Sequence, residues 1–247
     1  MIDEATLRDA PLHVLGRLPD SSNNALLCSV PGQVRVVYKP EAGEQPLWDF
    51  PPRTLSRREK AAAVLDQVLG FNLVPTTAWR ESGPAGPGTV QLWIEGQIDL
   101  GVFPPESLPD GWVAVVDAET EDGPVVVAHR TDLATQRMIV FDVLANNADR
   151  KGGHLLRDAS GLYGIDHGVT FHEDPKLRTV LWGLRREPVP AELLTAVEAA
   201  LPGLPELGEW LAPAEVEATV RRAQELLEAA VYPSPSGTWP ALPWPLI

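Results

Sequence analysis

The chain has one cysteine, Cys28, among 247 residues. That excludes an intrachain disulfide and fits a reducing compartment. It has no run near the roughly 18 consecutive apolar residues that a membrane-spanning helix needs. Its first residues, MIDEATLRDAPLHVLG, lack the basic-then-apolar order of a secretory leader. A cytoplasmic location is therefore expected. Positive charge is scarce as well. Twenty Lys and Arg against 34 Asp and Glu leave a formal net charge of −14, which disfavours a nucleic-acid partner and adsorption to anionic lipid. Several motifs are missing: no GxxxxGK[ST] phosphate loop, no GxGxxG, no Gx[ST]xG nucleophile segment, no HxxxH or CxxC metal pattern, and no internal repeat.

What is present is an ordinary globular composition, 44% hydrophobic and 22% charged, in a chain long enough to bury a sizeable core. Twenty-five prolines and 20 glycines mark many turns. The few cations cluster, with Arg53, Arg57, Arg58 and Lys60 in one group and Arg150, Lys151 and Arg157 in another. A local basic pocket in an acidic protein suits a small anionic ligand better than a polyanion.

Residues 25–38 read as two strands joined at Pro31-Gly32, delivering Lys39 at a strand end before Pro40. The preceding segment 16–24 is polar and turn-rich, so side chains such as Ser22 and Asn23, with the local amides, could fold over a phosphate. Ser56 to Glu59 has a capping-box pattern, opening a helix that runs to Leu69 and stops at Gly70. Residues 90–96 alternate as a strand and lead into a proline- and acid-rich connection. Helices are expected over 131–146, 192–201 and 214–230, followed by an extended strap anchored by Trp239 and Trp244. The expected class is α+β. A small lobe of residues 1–97 precedes a mainly helical lobe of residues 98–247, with a crevice near residues 95–101.

The most informative stretch is residues 139–171. An apolar segment leads to a polar turn with Asp149, Arg150 and His154, and two short hydrophobic runs flank a turn at 158–161 before Asp166-His167-Gly168. A hairpin between them would carry Asp149 and Asp166 to one end of a sheet. Phosphoryl transfer uses such a pair, one carboxylate orienting the attacking hydroxyl and the other holding Mg²⁺ on the nucleotide phosphates. Plainer roles exist for each residue. Asp149 and Asp166 fit turns, Glu59 fits a helix cap, Lys39 fits a solvated strand end. His154, His167 and His172 fit ordinary hydrogen-bonded positions, and Cys28 a small core residue.

In order along the chain, VYKP at 37–40, REKAAAVLDQVLGFNLVPTT at 58–77, VQLWIEG at 90–96, NNADRKGGHLL at 146–156 and GIDHGVTF at 164–171 resemble the atypical kinases related to phosphatidylinositol 3- and 4-kinases. The type II phosphatidylinositol 4-kinases are the nearest of these. LRTVLWG at 177–183 is also similar to an actinobacterial kinase-like group. The resemblance implies a two-lobed atypical kinase fold using ATP with Mg²⁺, or Mn²⁺. Lys39 would contact the phosphates, paired with Glu59, and the backbone of Leu92, Trp93, Ile94 and Glu95 would meet adenine. Asp149 would be the catalytic acid, with Arg150 beside it, and Asp166 would bind the metal. The acceptor would be a hydroxyl on a lipid, a small molecule or a protein. Where the family has an Asn metal ligand, this chain has His154. Imidazole suits Mn²⁺ better than Mg²⁺, so a changed metal preference, a one-metal site or lost transfer all remain open. A nucleotide-binding pseudokinase and an AMP transferase are the alternative functions.

Overall fold

The computed structural model describes residues 2–19 and 23–247; Ser22 lies outside the described residues. A short helix α1 (Glu4–Asp9) precedes five antiparallel strands: β1 (His13–Arg17), β2 (Leu26–Val30), β3 (Val34–Pro40), β4 (Thr77–Arg80) and β5 (Gly88–Leu92), in sheet order β1-β2-β3-β5-β4. Two-residue periodicity sorts β3. Val36 and Tyr38 are buried with Leu7, Cys28, Val30, Ala78 and Val90, so the alternation sends Lys39 to the opposite face. Cys28 is fully buried and free, as a small core residue would be. Gly16 and Arg17, expected in the phosphate-loop segment, belong to β1.

Helix α2 (Leu55–Leu69) lies between the sheet and the rest of the molecule and ends at Gly70, whose φ of +67° is the left-handed stop that glycine adopts without strain. Its start differs from the expected capping box. Ser56 already lies inside the helix, and its hydroxyl donates to the Lys39 carbonyl at 3.0 Å. The first amides are capped from outside, Leu55 N–H and Ser56 N–H donating to Glu44 at 3.1 and 2.7 Å. That frees Glu59 to point elsewhere.

In the turn after α2, buried Asp66 accepts from the N–H groups of Leu73 and Val74 at 2.9–3.0 Å. Burial pushes its carboxyl up to about 6 in spite of those bonds. A folded-state pKa above the unfolded value means the folded chain binds this proton more tightly, so the stability it contributes is present at acid pH and lost as pH rises through about 6. Between pH 5 and 7.5 the protein should lose roughly 1 kcal/mol through this group. Urea titrations of Asp66→Asn should show a flatter pH dependence over that window.

Residues 97–130 were expected as a connection and are instead structured. β6 (Gln97–Ile98) pairs with β10, and β7 (Gly101–Phe103), β8 (Trp112–Thr120) and β9 (Gly123–Arg130) form an antiparallel sheet in the order β7-β9-β8. Valines at 113, 115, 116 and 125–127 flank Glu121-Asp122-Gly123, a hairpin signal hidden beneath the acidic composition.

The remainder is mainly helical. Helix α3 (Leu133–Ala145) is capped by Asp132, whose side chain accepts from Thr135 N–H at 2.9 Å, and by Asn146 in the left-handed region. It is buried from Met138 to Ala145, the central pillar of the main core, against which α4 (Ala191–Ala200) and α5 (Pro213–Ala229) pack. Between them runs the hairpin β10 (Leu155–Arg157) and β11 (Leu162–Gly164), as expected between the two acids. The final segment is a strap, its backbone tied by Thr179 N–H to Ala241 O and Gly152 N–H to Leu246 O. Trp239 sits 4.8 Å over the Lys176 ammonium, but Trp244 is 84% exposed and anchors nothing. No helix among the described residues is long and apolar enough to cross a membrane.

Candidate active site

Strand β3 and helix α2 bring Lys39 and Glu59 together, and the loop after β11 brings Asp166 to them. Lys39 Nζ donates to Glu59 Oε1 and, at 2.9 Å, to Asp166 Oδ1. Burial opposes the ammonium charge, yet the Asp166 and Glu59 carboxylates outweigh it and raise the amine's pKa. The same Lys39 ammonium holds the Asp166 carboxyl well below the usual range. Glu59 is pushed up by its own burial against the pull of Lys39. Asp166 is 51% exposed and has a φ of +60°, a left-handed conformation that aspartate tolerates better than most residues.

His154 ends the short turn Gly152–His154 and faces Asp166. Its Nδ1 lies 3.1 Å from the Asp149 carbonyl oxygen, which can only accept, and 3.5 Å from the Lys151 N–H, which can only donate; the shorter contact favours the proton on Nδ1. Burial lowers the pKa of the ring and favours the neutral form. Nε2 then presents a lone pair 3.4 Å from Asp166 Oδ2. A lone pair and a carboxylate oxygen at that distance repel unless a cation lies between them, and the two donors fit a divalent ion. Among the described residues no group of three or more His, Cys, Asp or Glu side chains could hold a metal, so further ligands would have to be water or a bound anion.

Asp149 stands at the other end of His154. Its carboxylate accepts from Arg178 at 3.0 Å and pairs with Lys151 at 3.1 Å, while its N–H donates to Asn147 Oδ1 at 3.0 Å. Arg178 is also bound through its backbone to Asn147 and Arg150. Sequence reasoning missed it. The only signal was its place in LRTVLWG, where an arginine on an otherwise apolar run marks a position held against another loop.

Arg150, expected among the catalytic residues, is fully buried behind the loop and reaches no cleft. Its guanidinium grips Asp142 of α3 through Nε at 2.9 Å and Nη2 at 2.8 Å, and donates to Ile165 O at 2.9 Å and His167 Nε2 at 2.9 Å. It fixes the backbone of the loop after α3 to that helix. Arg150→Met should cost about 3–5 kcal/mol, because Asp142 would be left as an unpaired buried charge; urea unfolding measures it.

The expected adenine contacts separate. Leu92 N–H donates to Thr76 O at 2.9 Å and Trp93 N–H to Arg35 O at 3.0 Å, so both amides are engaged within the sheet. Glu95 pairs with Arg35 through its side chain, and Ile94 and Glu95 continue toward β6. The Asn23 side-chain oxygen accepts from Gln45 N–H at 3.0 Å, tying its loop to residues 41–45.

No family model matches the sequence. The Mycobacterium tuberculosis protein Rv2133c is 43% identical over 265 residues, a span covering 98% of this chain and 95% of that protein. The chain belongs to the Rv2133c family. For this member of the family, solved structures supply the fold. Hydra Fam20, solved with a sugar, superposes with a TM-score of 0.59 at 14% identity, covering 92% of this chain and 86% of that one. The Golgi casein kinase matches with a TM-score of 0.55 at 14% identity over 92% of this chain and 74% of its own. Its structure with Mn/ADP bound gives 0.54, 14% identity and coverages of 94% and 79%. The Rv2133c-family chain has the two-lobed atypical kinase fold, a small β-rich lobe followed by a mainly helical one; at this identity the likeness shows the fold and not the chemistry.

Proposed function

We propose that this Rv2133c-family protein is an ATP-dependent phosphotransferase acting on a hydroxyl acceptor, with the nucleotide held between a small lobe of residues 1–97 and a large lobe of residues 98–247. The observation that carries it is the convergence of Lys39, Glu59, Asp166 and His154 from four separate segments, one cation shared by two carboxylates beside a neutral imidazole. Lys39 moves from Asp166 to the phosphate oxygens while Glu59 keeps hold of it. Asp166 and His154 would hold the divalent ion, and an imidazole at that position would bias the site toward Mn²⁺. Bound there, metal and nucleotide would supply the transferable phosphoryl group and screen its charge. Asp149 accepts the proton of the acceptor hydroxyl, held in orientation by Arg178 and Lys151. Ile94 and Glu95 offer the backbone for adenine, and Asn23 borders the phosphates. The Mn/ADP complex of the Golgi casein kinase supports nucleotide and metal in this fold.

Motif likeness favours a phosphatidylinositol or inositol-type hydroxyl, whereas the named structural relatives include a casein kinase, favouring a protein side chain. A second reading is nucleotide binding without transfer, favoured by His154 at the metal position and by the two cations on Asp149. Thermal shift and labelled γ-phosphate release, followed together across Mg²⁺ and Mn²⁺ with ATP, test both. Metal-dependent stabilisation with turnover supports transfer, and stabilisation alone supports the second reading. Neither signal with any ion would end the nucleotide proposal.

A further inference from the structure

Beside the Lys39–Glu59 pair lies a donor and an acceptor that do not meet. His167 is fully buried, its ring packed edge-on against Phe141 with centroids 5.3 Å apart. Arg150 Nη2 reaches its Nε2 at 2.9 Å. Arginine can only donate, so Nε2 is the acceptor and the ring proton resides on Nδ1. That Nδ1–H has no hydrogen-bond partner, and Glu59 Oε2 has none of full hydrogen-bond geometry. The His167 backbone N–H also draws on the Glu59 carboxylate, and Nδ1 and Oε2 lie 4.0 Å apart in a buried setting. Unpaired buried groups of complementary kind are costly to maintain. Closing this gap needs a shift of only about 1 Å.

The histidine is the fixed partner, clamped by Arg150 on one side and Phe141 on the other, with Arg150 itself locked to Asp142. Glu59 is the adjustable one. Its Oε1 is held by Lys39, which is shared with Asp166, so any ligand that draws Lys39 off Asp166 changes the pull on Glu59. We infer that His167 is a positioning residue whose Nδ1–H closes onto Glu59 Oε2 when nucleotide phosphate takes Lys39, joining the phosphate-binding pair of the small lobe to the Asp142–Arg150 pair under the catalytic loop. This rests on the nucleotide site proposed above. The bond ties the position of α2 to the loop that bears Asp149, so binding at Lys39 and alignment of Asp149 become one event.

Two measurements test it. Calorimetric titration of Mg·ADP into the full chain compares wild type with His167→Gln, whose amide can accept from Arg150 and donate to Glu59, and with His167→Leu, which can do neither. His167→Leu should bind about tenfold more weakly, the value of one hydrogen bond to a charged group, and His167→Gln should restore most of that loss. A structural defect alone would lower unfolding temperature without this separation. Independently, the Nδ1–H proton of His167 in ¹⁵N-histidine-labelled wild type, assigned by its disappearance in His167→Gln, should move downfield and resist exchange when Mg·ADP is added. Tight Mg·ADP binding by wild type with that signal unmoved, or equal affinity in all three proteins, overturns the positioning role and leaves the kinase assignment standing. No Mg·ADP binding by folded wild type removes both. If His167→Leu does not fold, the wild-type proton signal decides.

Discussion

Asp166→Asn is expected to abolish the increment that Mg²⁺ or Mn²⁺ adds to nucleotide affinity and to lower phosphoryl transfer by on the order of 10²-fold or more. Asparagine is the informative replacement, because position 166 has a φ of +60°. Asn occupies that region as readily as Asp, while alanine would add backbone strain to the loss of charge. The side chain is 51% exposed at the cleft and outside the core, so the fold should survive. Replacing the carboxylate by an amide removes the charge that holds Lys39 at this end and leaves His154 Nε2 facing a neutral oxygen in place of the charged one of a two-ligand site. Metal-free ADP should therefore bind as well as before, or better, since phosphate no longer competes with Asp166 for the ammonium. Calorimetry with ADP in the presence of chelator, then of each ion, separates these effects. An unchanged metal increment in Asp166→Asn would place the ion elsewhere and sink the proposed site.

The parts of this molecule that were legible in its sequence are those where one residue type admits one local geometry. Pro31-Gly32 between β-branched runs specified the β2–β3 hairpin, Gly70 the stop of α2, and the paired runs around residues 158–161 the β10–β11 hairpin. The Lys39–Glu59 pair is likewise present. It was read from motif likeness, since nothing local joins a strand end to a helix 20 residues later. The misses have a common physical cause, partners distant in sequence. Ser56 to Glu59 has capping-box spacing, but Glu44 occupies the helix start and Ser56 turns to Lys39. Arg150 sits between two site residues in sequence, yet its guanidinium is fixed by Asp142, Ile165 and His167 away from the cleft. Arg178, hidden in an apolar run, holds Asp149. The β7–β9–β8 sheet was masked because its polar, acidic hairpin resembles a linker when judged by composition alone.

Asp149→Asn should separate catalysis from binding. Turnover is expected to fall by about 10²–10⁴-fold, the usual range for losing a positioned proton acceptor. Nucleotide affinity and its metal increment should stay at wild-type values, because Lys39 and Asp166 do not touch this carboxylate. Asparagine keeps the shape and can still accept from Arg178, and the N–H bond to Asn147 Oδ1 belongs to the backbone. The cost in stability should be small. Lys151 and Arg178 are each about a quarter exposed and can turn to water, so the change should lie within roughly 1 kcal/mol. The comparison with Asp166→Asn then assigns the two carboxylates by different observables, one by calorimetry and the other by the single-turnover rate of γ-phosphate loss. If wild type and Asp149→Asn release phosphate at the same low rate while both bind nucleotide with metal, Asp149 accepts no proton and the protein uses this fold to hold nucleotide without transferring it. If both variants lose binding together, the two carboxylates instead share one site, and His154, which touches the Asp149 carbonyl and faces Asp166, is the side chain through which they would be coupled.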